Sequence, residues 1–89
     1  NSGEAPIHRA TRMTRKDTAL LLLRRGADIN VQDGGYKSPL HIAIENGMES
    51  LAREYIACGA DPYALDLFDK NAVHYASESK DEKLLSLFR

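Results

Sequence analysis

Apolar residues fall into short segments that polar loops separate. Three apolar segments of helical character lie at residues 18–23, 51–57 and 84–88. A shorter segment precedes each of them, and in it two apolar residues stand three positions apart, which places both on one face of a short helix. These pairs are Ile7/Ala10, Leu40/Ala43 and Val73/Ala76. The pattern predicts three pairs of short helices, with polar loops at 26–37 and 59–70 between the pairs.

The same features recur at a fixed interval along the chain. The segments 5–10, 38–43 and 71–76 align with one another, and their first positions are evenly spaced. The Gly-Ala-Asp triplets at 26–28 and 59–61 keep the same step. Three independent features with one period indicate a stacked repeat architecture, in which each unit buries its apolar face against its neighbours.

The residues of the middle repeat suit a helical hairpin. Ser38 is a good helix N-cap, and Pro39 stands at the first helical position, where its missing N–H is no loss. Gly47 permits a tight turn into a second helix because it tolerates positive φ. Gly26 and Gly59 stand where a left-handed residue ends a helix.

The chain resembles the ankyrin repeat family, whose period is about 33 residues and whose signature is T-P-L-H-x-A. The middle repeat carries this signature as Ser38-Pro39-Leu40-His41-Ile42-Ala43, followed by Asn46-Gly47 and by Gly59-Ala60-Asp61. The resemblance covers residues 5–89. It implies an all-α solenoid of three stacked helix-turn-helix repeats with projecting turns, at about 5–37, 38–70 and 71–89, the last one incomplete. We expect these repeats to form a single domain over residues 1–89.

Some positions depart from the family pattern. The family usually has a glycine near the end of each projecting turn, and here Tyr36 and Asp69 stand in its place. Because tyrosine tolerates left-handed geometry poorly, we expect the pair Gly34-Gly35 to take up the bend of the first turn instead. The glycine between the two helices of the middle repeat is replaced in the other repeats, by Thr14 and by Lys80.

Composition limits the class of protein. The chain has 89 residues, of which 43% are hydrophobic and 28% charged, values typical of one small globular domain. No apolar run approaches the roughly 20 residues of a membrane-spanning helix, and residues 1–15 lack the apolar stretch of a signal peptide. The single cysteine, Cys58, excludes an internal disulfide and favours an intracellular, reducing compartment. Since the chain begins at Asn1 rather than Met, we expect it to be part of a longer protein.

Charge is spread unevenly along the chain. Residues 1–25 carry six basic and two acidic groups, whereas residues 45–89 carry five basic and nine acidic groups, and the total net charge is −1. The two ends are either ordinary solvated faces or an orientation signal for a partner or for self-association. The net charge argues against a nucleic-acid binder. The acidic remainder of the chain would also repel nucleic acid or anionic lipid from the basic first repeat.

No combination of residues indicates catalysis, a metal or a cofactor. The three histidines recur at the repeat period, on helices that pack about 8–10 Å apart, too far to share a zinc ion whose ligand atoms lie about 2 Å away. The resemblance implies that each imidazole bonds to nearby loop backbone. Cys58 lacks the base that a thiolate nucleophile needs. These histidines are His8, His41 and His74. We expect the acidic pairs to face solvent in turns and at helix starts, and these pairs are Asp66/Asp69 and Asp81/Glu82.

The resemblance implies a protein partner, bound on the concave surface that projecting turns and first helices form. On this chain that surface is mapped to Arg12, Met13, Tyr36, Lys37, Glu45, Asn46, Leu67, Phe68 and Lys70. Tyr36, Leu67 and Phe68 are unusual, because turn tips are normally polar and aromatic anchors often carry most of the binding energy. For Phe68 an alternative interpretation is that it folds back and shields the next repeat.

The end of the array is a second candidate surface. If the last helix leaves them uncovered, Leu84, Leu87 and Phe88 form an apolar end to which another chain can bind. The alternative function is therefore structural assembly, with homo- or heterodimers formed through the ends of the short array. Opposite charges at the two ends favour head-to-tail or paired association.

Overall fold

The computed structural model describes residues 3–88. Over this range the chain forms six α-helices and no strand: α1 (Pro6–Arg12), α2 (Lys16–Arg24), α3 (Pro39–Glu45), α4 (Glu49–Ala57), α5 (Ala72–Ser79) and α6 (Glu82–Ser86). The all-α prediction is confirmed, and the helices follow one another as three hairpins. None of these helices is both long and apolar enough to cross a membrane.

The hairpins stack through their first helices. Helices α1 and α2, α3 and α4, and α5 and α6 pack as pairs, while α3 packs against both α1 and α5. Alanines let these helices approach closely, and Ala43, Ala72 and Ala76 have no exposed surface. Leu40 is equally inaccessible, whereas Val73, at the equivalent position of the last hairpin, is only half-buried. The core is therefore continuous along the stack and thins at its last helix pair.

A left-handed residue follows each of the first five helices, and after α2, α3 and α4 it is a glycine. Gly26, after α2, adopts a φ of 95°, and the N–H of Ala27 donates to the carbonyl of Leu22 at 3.0 Å. Thr14 and Lys80 adopt φ values of 57° and 58° at the turns inside the first and third hairpins. These turns thus impose their geometry on residues that favour it poorly.

The tips of the projecting loops also contain a residue with left-handed backbone geometry. Tyr36 and Asp69 have φ values of 61° and 59°, so the expectation that Gly34-Gly35 would take up the bend is wrong. The carbonyl of Asp33 accepts the N–H of Tyr36 at 2.9 Å, which closes a four-residue turn over residues 33–36. In a hairpin loop of this kind, the left-handed position follows the two central residues of the turn, Gly34 and Gly35, and here that position belongs to Tyr36.

A buried imidazole ties each of the first two hairpins to the following loop. His8 Nε2 donates to the carbonyl of Lys37 at 2.8 Å, and its Nδ1 accepts the N–H of Ala5 at 2.9 Å. His41 Nε2 donates in the same way to the carbonyl of Lys70 at 3.1 Å. Both rings are fully buried, which confirms the implied backbone bonding for these two histidines.

His74 departs from this pattern. Its ring is exposed, and its Nε2 lies 3.3 Å from Glu78 Oε2 on the same helix. The implied bond to loop backbone is therefore wrong for the third histidine. The reason is that, within residues 3–88, no loop follows the third hairpin on the side where loop carbonyls meet the other two rings.

The middle hairpin contains the largest share of the core, so we expect Leu40→Ala to destabilise the chain strongly. Leu40 is fully buried between two neighbouring hairpins. Its truncation should lower the free energy of unfolding by about 2–5 kcal/mol. Thermal unfolding followed by circular dichroism checks this, and a shift of the melting temperature of only about 1–2 °C would contradict the inward direction of Leu40.

Removing the strain at Lys80 should stabilise the chain. No Cβ penalty applies to glycine in the left-handed region, so we expect Lys80→Gly to raise the free energy of unfolding by about 1 kcal/mol. Gly47→Ala is the matched control, since a Cβ there meets nothing within 4 Å and only the φ of 69° opposes it. Urea unfolding should show opposite shifts for the two variants. A destabilised Lys80→Gly chain would show that the left-handed turn is not maintained in solution.

Candidate protein-binding surface

The two loop tips present large apolar side chains to solvent. Tyr36 on the first loop is 54% exposed, and Leu67 and Phe68 on the second are 60% and 68% exposed. The N–H of Leu67 donates to the carbonyl of Gly35 at 2.8 Å, so the two tips lie side by side. We call Tyr36, Leu67 and Phe68 the turn-tip surface. Its Phe68 does not fold back to shield the neighbouring hairpin.

A buried carboxylate shapes the second tip. Asp66 is only 4% exposed, so the expectation that it faces solvent is wrong, although Asp69 is exposed as expected. The Asp66 Oδ1 atom accepts the N–H of Phe68 at 2.9 Å and that of Lys70 at 3.1 Å. Its Oδ2 accepts the hydroxyl proton of Tyr75 on α5. The loop therefore folds around this carboxylate and turns its apolar residues outward.

The bond between Asp66 and Tyr75 shifts the pKa values of the two groups in opposite directions. Burial alone would raise the pKa of Asp66. The Tyr75 hydroxyl and the N–H groups of Lys70 and Phe68 outweigh it, and the net pKa lies below the ordinary 3.8. Burial and the bond to the carboxylate both raise the pKa of Tyr75. Tyr75 thus stays a donor and Asp66 a charged acceptor over the physiological range.

Charged pairs link each loop to the end of the following helix. Lys37 Nζ lies 2.7 Å from Glu45 Oε1, and Lys70 Nζ lies 3.0 Å from Glu78 Oε2. The first hairpin has the same pair with the signs exchanged, because Glu4 and Arg12 occupy the equivalent positions one repeat earlier and form an ion pair. We call these three pairs the charged row.

An aromatic side chain lies within the charged row. Lys37 Nζ is 5.5 Å and Lys70 Nζ 5.6 Å from the centre of the Tyr75 ring. A cation at this distance from a ring is attracted by its π-face. The ring of His41 meets Tyr75 edge to face, with centroids 5.8 Å apart. Tyr75 therefore connects the lysines, the buried imidazole and the second loop, a role that its position in the sequence did not reveal.

The remaining predicted binding residues lie at the ends of the first helices. Met13 is 49% exposed where α1 ends, and Asn46 is exposed at the equivalent position after α3. Arg12 Nη2 also reaches Asp33 Oδ2 at 3.5 Å, which joins α1 to the base of the first tip. The structure thus brings the predicted residues together as one strip of loop tips, charged pairs and helix ends.

The residues predicted for the end of the array are not equally accessible. Leu84 is buried in the core at 1% exposure, so it cannot contribute to an external surface. Leu87 and Phe88 are half-buried against the same core. Cys58 is a free, exposed thiol beside Gly59. Among residues 3–88 no group of three or more His, Cys, Asp or Glu side chains could hold a metal ion.

Sequence reasoning missed two exposed residues of the second loop. Tyr63 and Leu65 are 67% and 52% exposed. The signal that could have found them is the alternation of residues 63, 65 and 67, all large and apolar, with Ala64 and Asp66 between them. In an extended segment such alternation directs one set outward and the other inward.

Stacked helical hairpins with bonded loop tips define a helical repeat protein of the solenoid class. The family model for the ankyrin repeat matches residues 2–34 and 36–67, and the chain belongs to that family. Ankyrin repeats generally mediate protein–protein interaction, and domains built from them are typically non-catalytic.

Relatives with known names share this repeat. Over 60 residues the chain is 40% identical to human protein phosphatase 1 regulatory subunit 27, an alignment that covers 67% of the chain and 39% of that protein. It is 30% identical over 110 residues to neurogenic locus notch homolog protein 1 of Danio rerio, covering 85% of the chain and 4% of the relative. A putative ankyrin repeat protein of fowlpox virus is 33% identical over 63 residues, 71% of the chain and 9% of that protein. The chain thus spans a minor part of each relative.

Acid should weaken the fold through Asp66. Because its pKa is lowered in the folded chain, its contribution to stability is complete above its ordinary pKa near 3.8 and is lost as the pH falls through the folded value. Tyr75→Phe removes one bond to the charged carboxylate, so we expect its stability to fall less steeply below about pH 5 than that of the wild type. Urea unfolding between about pH 7 and pH 2 measures both slopes, and equal slopes would contradict a Tyr75–Asp66 bond.

Proposed function

We propose that this chain is a non-catalytic protein-interaction module that binds a partner protein on its concave face. The contact residues are the turn-tip surface, its polar surroundings in the charged row and the exposed ends of the first helices: Arg12, Met13, Tyr36, Lys37, Glu45, Asn46, Leu67, Phe68 and Lys70. The partner serves as a bound cargo or as a protein whose position the module fixes, in the manner of an adaptor.

The observation that carries this proposal is the exposure of Tyr36, Leu67 and Phe68 on loops that are held in place. Three large apolar side chains at 54–68% exposure cost solubility unless a partner covers them. The bonds of the loop backbone to Asp33 and Asp66 fix the tips before binding. A surface that is already ordered loses less entropy on association, so more of its contact energy appears as affinity.

The charged row supports selectivity. Aligned ion pairs at the edge of an apolar patch contribute little to affinity in water, but they penalise partners of the wrong charge pattern. The sign exchange at Glu4 and Arg12 gives this face a direction along the stack. A partner would therefore bind in one orientation.

A protein partner also agrees with the relatives. One of them is by name a regulatory subunit of a protein phosphatase. We propose no enzymatic activity, cofactor or nucleic-acid ligand for this chain, in line with the usual non-catalytic role of its family and a net charge of −1. We also propose that the three hairpins act as a single domain and that the chain works inside the cell.

A second candidate function is assembly through the ends of the array. It is favoured by the separation of charge along the stack, with excess basic residues before residue 26 and excess acidic residues after residue 44. Since Leu84 is buried, only Leu87 and Phe88 of the predicted end surface remain for such contacts.

Substitutions at the turn tips test the main proposal. Proteins captured by the immobilised wild-type chain are purified, and their affinities are measured for Tyr36→Ala and Phe68→Ala. We expect each variant to weaken binding about tenfold or more, as truncation of an aromatic anchor does. Leu21→Ala is the matched control, because Leu21 is 46% exposed on α2, away from the loop tips. If neither tip variant loses more than about twofold, the concave-face proposal is wrong.

A further inference from the structure

The second helices of the first two hairpins form an open surface on the side away from the first helices. The first helices pack directly against one another along the stack, whereas α2 and α4 approach each other less closely. A shallow groove of about 260 Å³ lies between them, lined by Leu20, Leu23, Arg24, Glu54 and Cys58. Because the hairpins stack through their first helices, further repeats on either side would lengthen the array and leave this surface uncovered.

Helix α2 presents leucine side chains on this surface. Leu21 is 46% exposed, and Leu20 beside it is half-buried. The equivalent positions of α4 hold Arg53 and Glu54, which are the polar residues expected on the solvent-facing side of a helix. The leucine run of α2 therefore provides more apolar area than its own hairpin buries.

Opposite charges flank the two leucines along α2. Asp17 lies in the first turn of the helix and Arg24 in the last turn, and both side chains are exposed. Spacings of three and four residues place Asp17, Leu20, Leu21 and Arg24 in one stripe. Among residues 3–88 neither charged group forms an ion pair. Their order suits the helix dipole, which explains the charges but not the exposed leucines between them.

This stripe is complementary to itself when a second copy runs antiparallel to it. If Leu20 lies opposite Leu21 of the second copy, Asp17 comes opposite Arg24, because each charged residue stands three positions beyond the nearer leucine. A two-fold axis repeats every contact, since the same patch is used on both copies. The pairing therefore has an ion pair at each end and the leucines of both copies between them.

Helix α4 fits the same axis. It occupies the place in the second hairpin that α2 occupies in the first, and the two helices run in the same direction. An axis that crosses α2 between Leu20 and Leu21 crosses α4 between Arg53 and Glu54, at the equivalent height. Arg53 of one copy then meets Glu54 of the other. Both helices thus bring opposite charges together under one symmetry operation.

We infer that this chain forms a two-fold symmetric dimer through the α2–α4 surface, which consists of Asp17, Leu20, Leu21, Arg24, Arg53 and Glu54. A second copy is the occupant because the surface matches its own reverse in charge and in apolar area. The exposed Leu21 of each copy packs at the mouth of the groove that Leu20 and Leu23 of the other copy line. The contact closes on itself and stops at the dimer.

This inference goes beyond the proposed function, because the dimer interface and the turn-tip surface lie on different faces. A dimer presents two turn-tip surfaces at once. Binding of the second partner site then becomes intramolecular when the partner is itself multivalent, which raises the overall affinity without any new contact.

The association should be weak and reversible. The two helices have nine residues each, about 14 Å in length, so the surface falls short of the roughly 800 Å² per partner of a stable complex. At its rim the same register brings Lys16 near Arg25 of the second copy, a like-charge contact that lowers the affinity. We therefore expect dimers at high chain concentration.

Two charge-reversal variants test the symmetry of the contact. Asp17→Arg and Arg24→Asp each place like charges opposite one another in a homodimer. Sedimentation at low salt, up to about 1 mM chain, should show dimers for the wild type and an affinity about tenfold or more weaker for each variant alone. An equal mixture of the two variants should form heterodimers as readily as the wild type forms dimers, because every opposing pair again joins an acid and a base.

Matched variants separate this interface from the concave face. Leu21→Ala should weaken the dimer and keep its affinity for the captured partner, whereas Tyr36→Ala should lose the partner and dimerise like the wild type. Circular dichroism of every variant checks that it is folded.

Three results would overturn the inference. The first is a wild-type chain that stays monomeric throughout. The second is a mixture of the charge variants that forms no heterodimer, which would limit Asp17 and Arg24 to a role at the ends of their helix. The third is self-association that persists unchanged in Leu21→Ala. It would belong to the ends of the array if it grew beyond the dimer, and to the turn tips if Tyr36→Ala abolished it.

Discussion

The structure depends on one hydrogen-bonded connection, in which a buried imidazole joins the start of a helix to the loop that begins the next hairpin. In His8 and His41 one ring nitrogen accepts an N–H at the start of its own helix and the other donates to the end of the following loop. Two short helices cannot bury their apolar face alone. The imidazole fixes the distance between its own hairpin and the next one. At that distance the small alanines Ala43 and Ala76 allow close contacts between the helices. At His74, within residues 3–88, the connection is not made, and the outer side of its helix is an exposed groove.

The loops owe their shape to this connection and to the carboxylates beneath their tips. Asp33 and Asp66 gather the backbone N–H groups of their turns, and the imidazoles hold the carbonyls at the loop bases. Because the backbone N–H and carbonyl groups of the loops are hydrogen-bonded on their inner side, the side chains of Tyr36, Leu67 and Phe68 project into solvent. The left-handed φ of Tyr36 is a cost of this arrangement, of about 1–2 kcal/mol relative to glycine, and the chain keeps it at the position where a binding residue projects.

The sequence predicts the architecture well because a fixed period leaves little choice of fold. Regular repetition of the Ala-Pro-Ile-His and Ser-Pro-Leu-His segments locates the hairpins, their N-caps and their buried faces without any tertiary information. The site is predicted less completely, because it depends on contacts between residues of different elements. From the sequence Asp66 is predicted to be a solvated turn residue. Only the folded chain shows that Tyr75, nine positions away on α5, donates a hydrogen bond to it. Likewise, the sequence predicts Leu84 as part of an exposed apolar end, whereas in the folded chain helix α6 directs this side chain into the core. The adjacent pair Gly34-Gly35 suggests the wrong position for the left-handed residue, because the turn type rather than residue preference places it at Tyr36.

The most direct measurement of this account is the tautomeric state of the three imidazoles, read from long-range ¹H–¹⁵N NMR correlations at neutral pH. The structure predicts that His8 and His41 each carry their proton on Nε2, with Nδ1 as an acceptor and with a slowly exchanging ring proton, while the exposed ring of His74 exchanges rapidly with water. Rapid exchange or mixed tautomers at His8 and His41 would contradict the central role assigned to these side chains and, with it, the fixed placement of the loop tips.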